Sequence, residues 1–178
     1  MSADPRPLTG EPLALDLLNT RWMQDGAAQD LLTATDGLAV WLAATGLDRR
    51  FTADAPTLRH TLEARDALAA AVDGPPGAGV APVDAVLEHG RIRATLTAEG
   101  PGERPEFDDS SWGPAWLATR DYLGLLATAP DRIRGCAHES CVLHFFDTSR
   151  NGTRRWCSMA SCGNRAKASR HYARSKEN

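Results

Sequence analysis

All four cysteines of the chain occur late in the sequence, as two pairs with the same internal spacing. Four residues separate Cys136 from Cys141, and four separate Cys157 from Cys162. Two thiolates of one such pair can turn towards the same ion, and two pairs complete the tetrahedron that Zn²⁺ prefers, with Zn–S distances of about 2.3 Å. The spacing therefore predicts one structural zinc ion held by Cys136, Cys141, Cys157 and Cys162.

Cysteines in this pattern have two other possible roles. Disulfide bonds need an oxidising compartment, and residues 1–11 lack the charged and apolar regions of a signal peptide. A redox or nucleophilic cysteine would not need two matched pairs, and the chain contains no C-x-x-C. We therefore favour zinc over both roles. His138 and His144 are near enough in sequence to replace a cysteine, but we expect them in a loop or on a strand surface.

The residues around the cysteines predict a small scaffold for the ion. Residues 142–148 are β-rich, an Asn-Gly pair at 151–152 favours a tight turn, and residues 153–156 can form the returning strand. A helix is predicted from Met159 onwards, with Cys162 in or near its first turn, where the helix N-terminus favours a thiolate. Each cysteine pair lies in a short loop, called a knuckle. A knuckle followed by a hairpin and a helix predicts a treble-clef-like module.

The same region resembles a known family. Residues 145–151, 154–159 and 162–167 are similar to the CGNR zinc finger, which is named after the residues found here at 162–165. The resemblance covers about residues 134–174 and implies the same four cysteine ligands.

Residues 13–20 and 41–47 are similar to the opening of the ABATE domain, the usual N-terminal partner of this finger. Together these resemblances imply a bacterial DNA-binding transcription regulator. Composition agrees with a soluble, cytoplasmic protein, and no apolar run approaches the roughly 20 residues that span a bilayer. We expect no membrane partner.

The net charge of -3 hides an asymmetry between the two parts of the chain. Residues 131–178 contain 10 Lys or Arg and 4 Asp or Glu, whereas residues 1–130 contain 10 and 19. The chain thus has a basic module, residues 131–178, and an acidic body, residues 1–130. This distribution is typical of a protein that contacts phosphates through the module alone.

The basic residues of the module are the candidate nucleic-acid contacts. Lys167, Arg170, His171 and Arg174 share one face of the predicted terminal helix, because they follow i, i+3, i+4, i+7 spacing. Arginine can bond phosphate or guanine edges with two hydrogen bonds. The alternative is a solvated face, or pairing with the acidic body. The candidate set is Arg150, Arg154, Arg155, Arg165, Lys167, Arg170 and Arg174.

The N-terminal part reads as mainly helical with one small hairpin, which makes the predicted fold class α+β. Strand 91–97 pairs with 104–107, where Pro105 confines the partner to an edge. The predicted domains are 1–130 and 131–178. The predicted helices are 13–23, one from Thr35 or Asp36 to Gly46, one from Asp54 to Gly74, 82–88 and 116–128.

The candidate ligand pocket of the body rests on Asp16 and Asn19, two polar residues on one side of an apolar helix. The simpler explanation of both residues is helix capping or one internal hydrogen-bond network. No phosphate loop, H-E-x-x-H or G-x-S-x-G is present, so we expect no enzyme. The leading prediction is a zinc-dependent DNA-binding regulator whose body senses a small molecule or forms a homodimer. Alternatives are a protein-interaction or RNA-binding module, and an enzyme with a site near Asp16 and Asn19.

Overall fold

The computed structural model describes residues 3–167, in which helices form the body and three short antiparallel strand pairs lie around it. The predicted α+β class is confirmed. In chain order the elements are α1 (Leu13–Leu18), β1 (Arg21–Gln24), β2 (Ala27–Asp30), α2 (Thr35–Ala44), α3 (Ala55–Asp73), α4 (Val80–Leu87), β3 (Gly90–Thr97), β4 (Gly100–Phe107), α5 (Gly113–Thr128), β5 (Ile133–Gly135), β6 (His144–Phe146) and a π-helical turn (Met159–Gly163).

Helix α3 is the central element of the body, and its start was predicted correctly. The Asp54 carboxylate accepts a hydrogen bond from the Thr57 N–H at 2.9 Å, and Pro56 occupies the first turn. The helix packs against α4 and α5, and its buried Leu68 joins Leu15 of α1 and Trp41 of α2 in the main core. One apolar core therefore holds α1 to α5 together.

The predicted helix over 13–23 is too long, because α1 ends at Leu18 and a hairpin follows. The Thr20 hydroxyl donates back to the Leu17 carbonyl at 2.7 Å, which closes the helix. Asp25 and Gly26 both have positive φ, at 50° and 80°, as a two-residue turn between antiparallel strands requires. Strand β1 therefore replaces the end of the predicted helix, and β2 follows it.

The predicted strand over 91–97 is confirmed, and its partner begins earlier than expected, at Gly100. Ile92 lies opposite Pro105, and the ribbon β3–β4 is largely exposed. Proline is tolerated here because a two-stranded ribbon has only edge strands.

The predicted returning strand over 153–156 is wrong. Strand β6 pairs instead with β5, with Ile133 opposite Phe146. The buried Asp147 carboxylate accepts hydrogen bonds from the N–H groups of Ser149 and Arg154, at 2.9 and 3.0 Å, and so closes the following segment as a loop. The helix predicted from Met159 onwards begins as the π-helical turn Met159–Gly163, which contains Cys162. No helix of the described residues is long and apolar enough to cross a bilayer.

Candidate metal centre and its attachment to the body

The Sγ atoms of the four cysteines all lie within 4.8 Å of one another. Cys157 Sγ is 3.7 Å from Cys141 Sγ and 3.6 Å from Cys162 Sγ. A tetrahedral zinc ion with Zn–S bonds of about 2.3 Å requires S···S separations of about 3.8 Å. The donor set therefore fits one zinc ion bound by Cys136, Cys141, Cys157 and Cys162.

Backbone hydrogen bonds hold the two knuckles in place. The Cys136 N–H donates to the Leu143 carbonyl and the Cys141 N–H donates to the His138 carbonyl, both at 2.9 Å. The Cys157 N–H points at Cys136 Sγ across 3.4 Å, a contact that stabilises a thiolate. The Ser158 hydroxyl caps the turn that carries Cys162. These bonds orient the four sulfur atoms towards a common centre.

The crowded thiols favour a cation. Hydrogen bonding from Cys157 lowers the pKa of Cys141 to about 5. Burial raises the pKa of Cys162 to about 11, and the bond to Cys141 together with burial raises the pKa of Cys157. Only a positive charge among the sulfur atoms would make all four thiolates stable together, so metal binding would release protons.

Neither nearby histidine belongs to the cysteine cluster. His138 lies in a loop, as expected, with Nδ1 3.0 Å from the Ser140 hydroxyl. His144 lies on β6 but is buried rather than on the strand surface, and its Nε2 is 2.8 Å from an Asp73 carboxylate oxygen. The four cysteines are therefore the donor set that could hold the ion.

The apolar core around the cysteines includes residues of the N-terminal body. Phe145, which is fully buried, and Leu143 pack with Cys157 and Cys162 as the local part of this core. Trp22 of β1 is buried in the same cluster, and Leu8 and Leu31 pack against it. The metal module therefore shares its core with the hairpin β1–β2.

Polar contacts also join the two parts. The Asn19 amide donates to the His144 carbonyl and accepts from the His144 N–H, both at 2.8 Å. The Glu11 carboxylate accepts from the Phe146 N–H at 2.9 Å and lies 3.5 Å from the Arg154 guanidinium. Asn19 therefore attaches the module to the body.

Comparison with known families finds a match for each of the two parts of the chain. A family model described as "Putative stress-induced transcription regulator", the ABATE model, matches residues 11–129, which is more than half of the chain. The chain belongs to the ABATE family. A second model, the CGNR zinc finger, matches residues 132–175, so the predicted arrangement of an ABATE domain followed by this finger is confirmed. No curated protein matches the chain.

Asp16 of the ABATE domain is buried in an internal network rather than facing a pocket. Its carboxylate accepts from Arg6 at 2.6 Å, from the Gly10 N–H at 2.9 Å and from the Trp41 indole at 3.1 Å. These contacts, with those of Asn19, match the simpler reading of both residues as parts of a hydrogen-bond network.

A cavity of about 370 Å³ does exist at the junction of the ABATE domain and the CGNR finger, and neither Asp16 nor Asn19 lines it. The cavity lies between the hairpin β1–β2, the second half of α3 and the start of β6. Its lining residues are Leu18, Arg21, Trp22, Met23, Ala28, Gln29, Asp30, Arg65, Ala69, Asp73, Val142 and His144.

Some basic residues of the CGNR finger have internal partners. Arg154 donates to the carbonyls of Trp156 and Cys157, at 3.0 and 2.5 Å, and lies 4.1 Å over the Phe145 ring. Arg132 donates to the carbonyls of Asp147 and Ser149. Arg154 therefore bonds within the finger, and 29% of its side-chain surface remains exposed.

The other described candidates are exposed. Arg150, Arg155, Arg165 and Lys167 form no ion pair with any residue of the described range 3–167. The Arg155 guanidinium lies 5.2 Å from the centroid of the Trp156 ring. Arg170, His171 and Arg174 lie outside the described residues.

Proposed function

We propose that the CGNR finger binds DNA and that the protein is a transcription regulator whose ABATE domain holds the finger. The observation that carries this proposal is the division of the finger's arginines. Arg132 and Arg154 bond to carbonyl groups of the finger itself, whereas four exposed cations have no carboxylate partner in the described residues. Exposed cations without partners are the groups that neutralise phosphates.

The surface beside these cations has the chemistry of a phosphate-contacting groove. An open groove of about 570 Å³ lies here, and three of its lining residues carry hydroxyl groups. The lining residues are Ser149, Thr153, Arg154, Arg155, Trp156, Cys157, Ser158 and Met159. Hydroxyl groups and arginine supply many of the contacts that proteins make to the DNA backbone. The groove adjoins Cys157, so a bound zinc ion would stabilise its shape.

The charge of the rest of the chain also supports DNA binding through the finger. Residues 1–130 carry 19 acidic and 10 basic residues, so the ABATE domain repels phosphates while residues 131–178 attract them. This distribution favours binding through the finger. A binding role, rather than catalysis, also agrees with the internal hydrogen bonds of Asp16 and Asn19.

The test is DNA binding by zinc-loaded, full-length protein, measured by fluorescence anisotropy with labelled random genomic fragments. We expect the logarithm of the affinity to fall with the logarithm of salt between about 50 and 200 mM, with a slope near -0.9 for each phosphate contacted. Fragments that stay bound at the high salt concentration would contain selective sites.

A double substitution, Arg150→Ala with Arg155→Ala, locates the interface. We expect weaker binding and a salt slope that is less steep by about 0.9 for each lost contact. The matched control is Arg120→Ala, which removes an exposed arginine from α5 of the ABATE domain. Equal loss in both proteins, or no DNA binding at any salt concentration, would overturn the proposal and favour protein or RNA as the partner.

A further inference from the structure

The ribbon β3–β4 is attached to the helical body at one end. At that end the Phe107 ring packs edge-on against Phe51 and Trp116, with centroids 5.8 and 5.7 Å apart, and Gly90 lies against the Trp116 indole. Beyond this end most residues of β3 are exposed. No third strand of residues 3–167 pairs with the ribbon, so both of its outer edges are open. An open edge is a template on which another strand can pair.

The ribbon has an apolar face that the body does not cover. This face begins at the packed Phe107 and continues outwards along both strands. Its further members are Ile92, Ala94, Leu96, Pro101, Glu103 and Pro105. Leu96 is 83% exposed and Ile92 is 38% exposed. On the opposite face, Arg91 and Arg93 contact the Glu106 carboxylate at 3.0 and 3.5 Å. The exposed apolar side chains of the ribbon are therefore collected on one face.

The two outer edges of the ribbon differ because β4 contains two prolines. Pro101 and Pro105 lie opposite Leu96 and Ile92. Proline has no N–H to donate, so these are non-hydrogen-bonded pairs, whose backbone groups point away from the partner strand. Such pairs occur at every second position, so Ala94 belongs to the same set. Strand β3 thus offers outward N–H groups at Ile92, Ala94 and Leu96, whereas proline removes two of the three that face them on β4.

We infer that β3 pairs antiparallel with β3 of a second copy of this chain, which joins the two ribbons into one four-stranded sheet. A two-fold axis at Ala94 places Ile92 of each copy opposite Leu96 of the other and the two Ala94 residues opposite each other. All these residues have outward backbone groups, so each pair can exchange two N–H···O bonds. The exposed apolar side chains of both copies then lie side by side on one face of the sheet.

The charges of β3 are compatible with an axis at Ala94. There Arg93 faces Thr95 of the other copy and Arg91 faces Thr97, so no like charges are directly opposite. An axis at Arg93 would place the two Arg93 side chains opposite each other. An axis at Thr95 would leave Arg91 beyond the end of the other β3, which ends at Thr97. The sequence of β3 is therefore self-complementary about Ala94.

The association is expected to be weak and reversible. A joint between two eight-residue strands is smaller than the roughly 1,200–2,000 Å² that stable interfaces bury, so the dissociation constant should lie at about 1–100 µM. The prolines of β4 leave that edge blocked, so association should stop at the dimer. This inference does not rest on the proposed DNA binding, because a monomer can also bind DNA, and the two ideas can fail separately.

The experiment is sedimentation equilibrium of zinc-loaded, full-length protein in reducing buffer, at concentrations from about 1 to 500 µM, which bracket the expected dissociation constant. We expect the apparent mass to rise from that of one chain to that of two and to stop there. A monomer at every concentration, or growth beyond two chains, would overturn the inference.

Two proline variants locate the joint. Ala94→Pro removes an outward N–H of β3 and keeps the bonds within the ribbon, as Pro101 and Pro105 do on β4. We expect the dissociation constant to rise at least about tenfold, because both copies lose a hydrogen bond. The matched control is Glu103→Pro, directly opposite on β4, which should dimerise like the parent protein. Equal effects of the two variants would overturn the inference.

A charge variant tests the position of the axis without changing the backbone. Thr95→Glu places a carboxylate opposite Arg93 of the other copy when the axis is at Ala94, and we expect the dissociation constant to fall about threefold or more. Thr128→Glu adds the same charge to the exposed end of α5 and should change it by less than about twofold. A dissociation constant that Thr95→Glu leaves unchanged or raises would overturn the pairing.

Discussion

The side-chain amide of Asn19 and the backbone of His144 bond to each other in both directions, each at 2.8 Å, across 125 positions of sequence. This reciprocal pair imitates one rung of a β-ladder with a side chain in place of a strand. Both groups are buried, so water cannot replace the bonds. One side chain of the ABATE domain therefore completes the backbone hydrogen bonding of the strand beside the metal module.

Asn19→Ala should destabilise the protein by about 3 kcal/mol, because it leaves a buried N–H and a buried carbonyl of His144 without partners. The measurement is urea unfolding of the zinc-loaded protein. The matched control is Thr128→Ala, which removes an exposed hydroxyl bond to the Gly124 carbonyl and should change the free energy of unfolding by less than about 0.5 kcal/mol. Similar small losses in both variants would contradict the role assigned to Asn19.

Cys157→Ser should abolish stoichiometric zinc, measured by elemental analysis of the purified protein. Structural zinc contributes about 10–16 kcal/mol to the folding of zinc-finger peptides, so the finger should unfold without it. Because Trp22 packs in the same core as Cys157, its fluorescence should shift as well. Ser140→Ala, between the first two cysteines, should keep the metal; a Cys157→Ser protein with full zinc would refute the ligand assignment.

Arg154→Ala should affect stability and Arg155→Ala should affect DNA binding, although the two residues are neighbours. Arg154→Ala removes the bonds to the Trp156 and Cys157 carbonyls and should lower the free energy of unfolding by about 1–3 kcal/mol. Arg155→Ala should leave stability within about 0.5 kcal/mol and weaken DNA binding. Urea unfolding and DNA anisotropy on both variants measure this separation, and equal effects on stability would contradict it.

Asp30→Asn should change the acid dependence of stability. Burial alone would raise the pKa of Asp30, but hydrogen bonds from Arg65 and the Leu32 N–H outweigh it and lower that pKa below its ordinary value. The ionised carboxylate therefore stabilises the fold above the unfolded pKa of about 3.9, and this stability is lost as pH falls through the lower folded pKa.

Asparagine keeps an oxygen to cap the Leu32 N–H but leaves the buried Arg65 without its anion, so we expect a loss of about 3 kcal/mol at pH 7. Unfolding free energies measured from pH 7 down to pH 3 should be less dependent on pH in Asp30→Asn than in the parent protein. Parallel pH profiles would show that Asp30 is not the group responsible. Asp66→Asn, which removes an exposed partner of Arg21, is the control.

Local signals in the sequence predicted much of the fold. The carboxylate cap at Asp54 and the proline after it identified α3, and the paired cysteines identified the metal site. The Asp25-Gly26 pair was also a turn signal, but the apolar spacing from Leu13 to Met23 assigned most of β1 to a helix. The hairpin β1–β2 was therefore missed although its turn was visible.

The contacts between the ABATE domain and the CGNR finger could not be predicted, because no local pattern connects residues so far apart in sequence. Trp22 reads as a core anchor from its type alone, yet nothing nearby indicates that it packs with Cys157. The Asn-Gly pair likewise favoured a hairpin over 142–156, but Asp147 closes that segment and β6 pairs with β5. Tertiary contacts outweighed the turn preference there.

The shared core of Trp22 and Phe145 has a consequence for synthesis on the ribosome. At about 5–20 residues per second, the 125 positions between Asn19 and His144 take roughly 6–25 s to make. Throughout that interval the hairpin around Trp22 has no C-terminal partner and exposes apolar surface. The nascent chain therefore passes through a window in which its N-terminal hairpin is not yet covered by the residues around its cysteines.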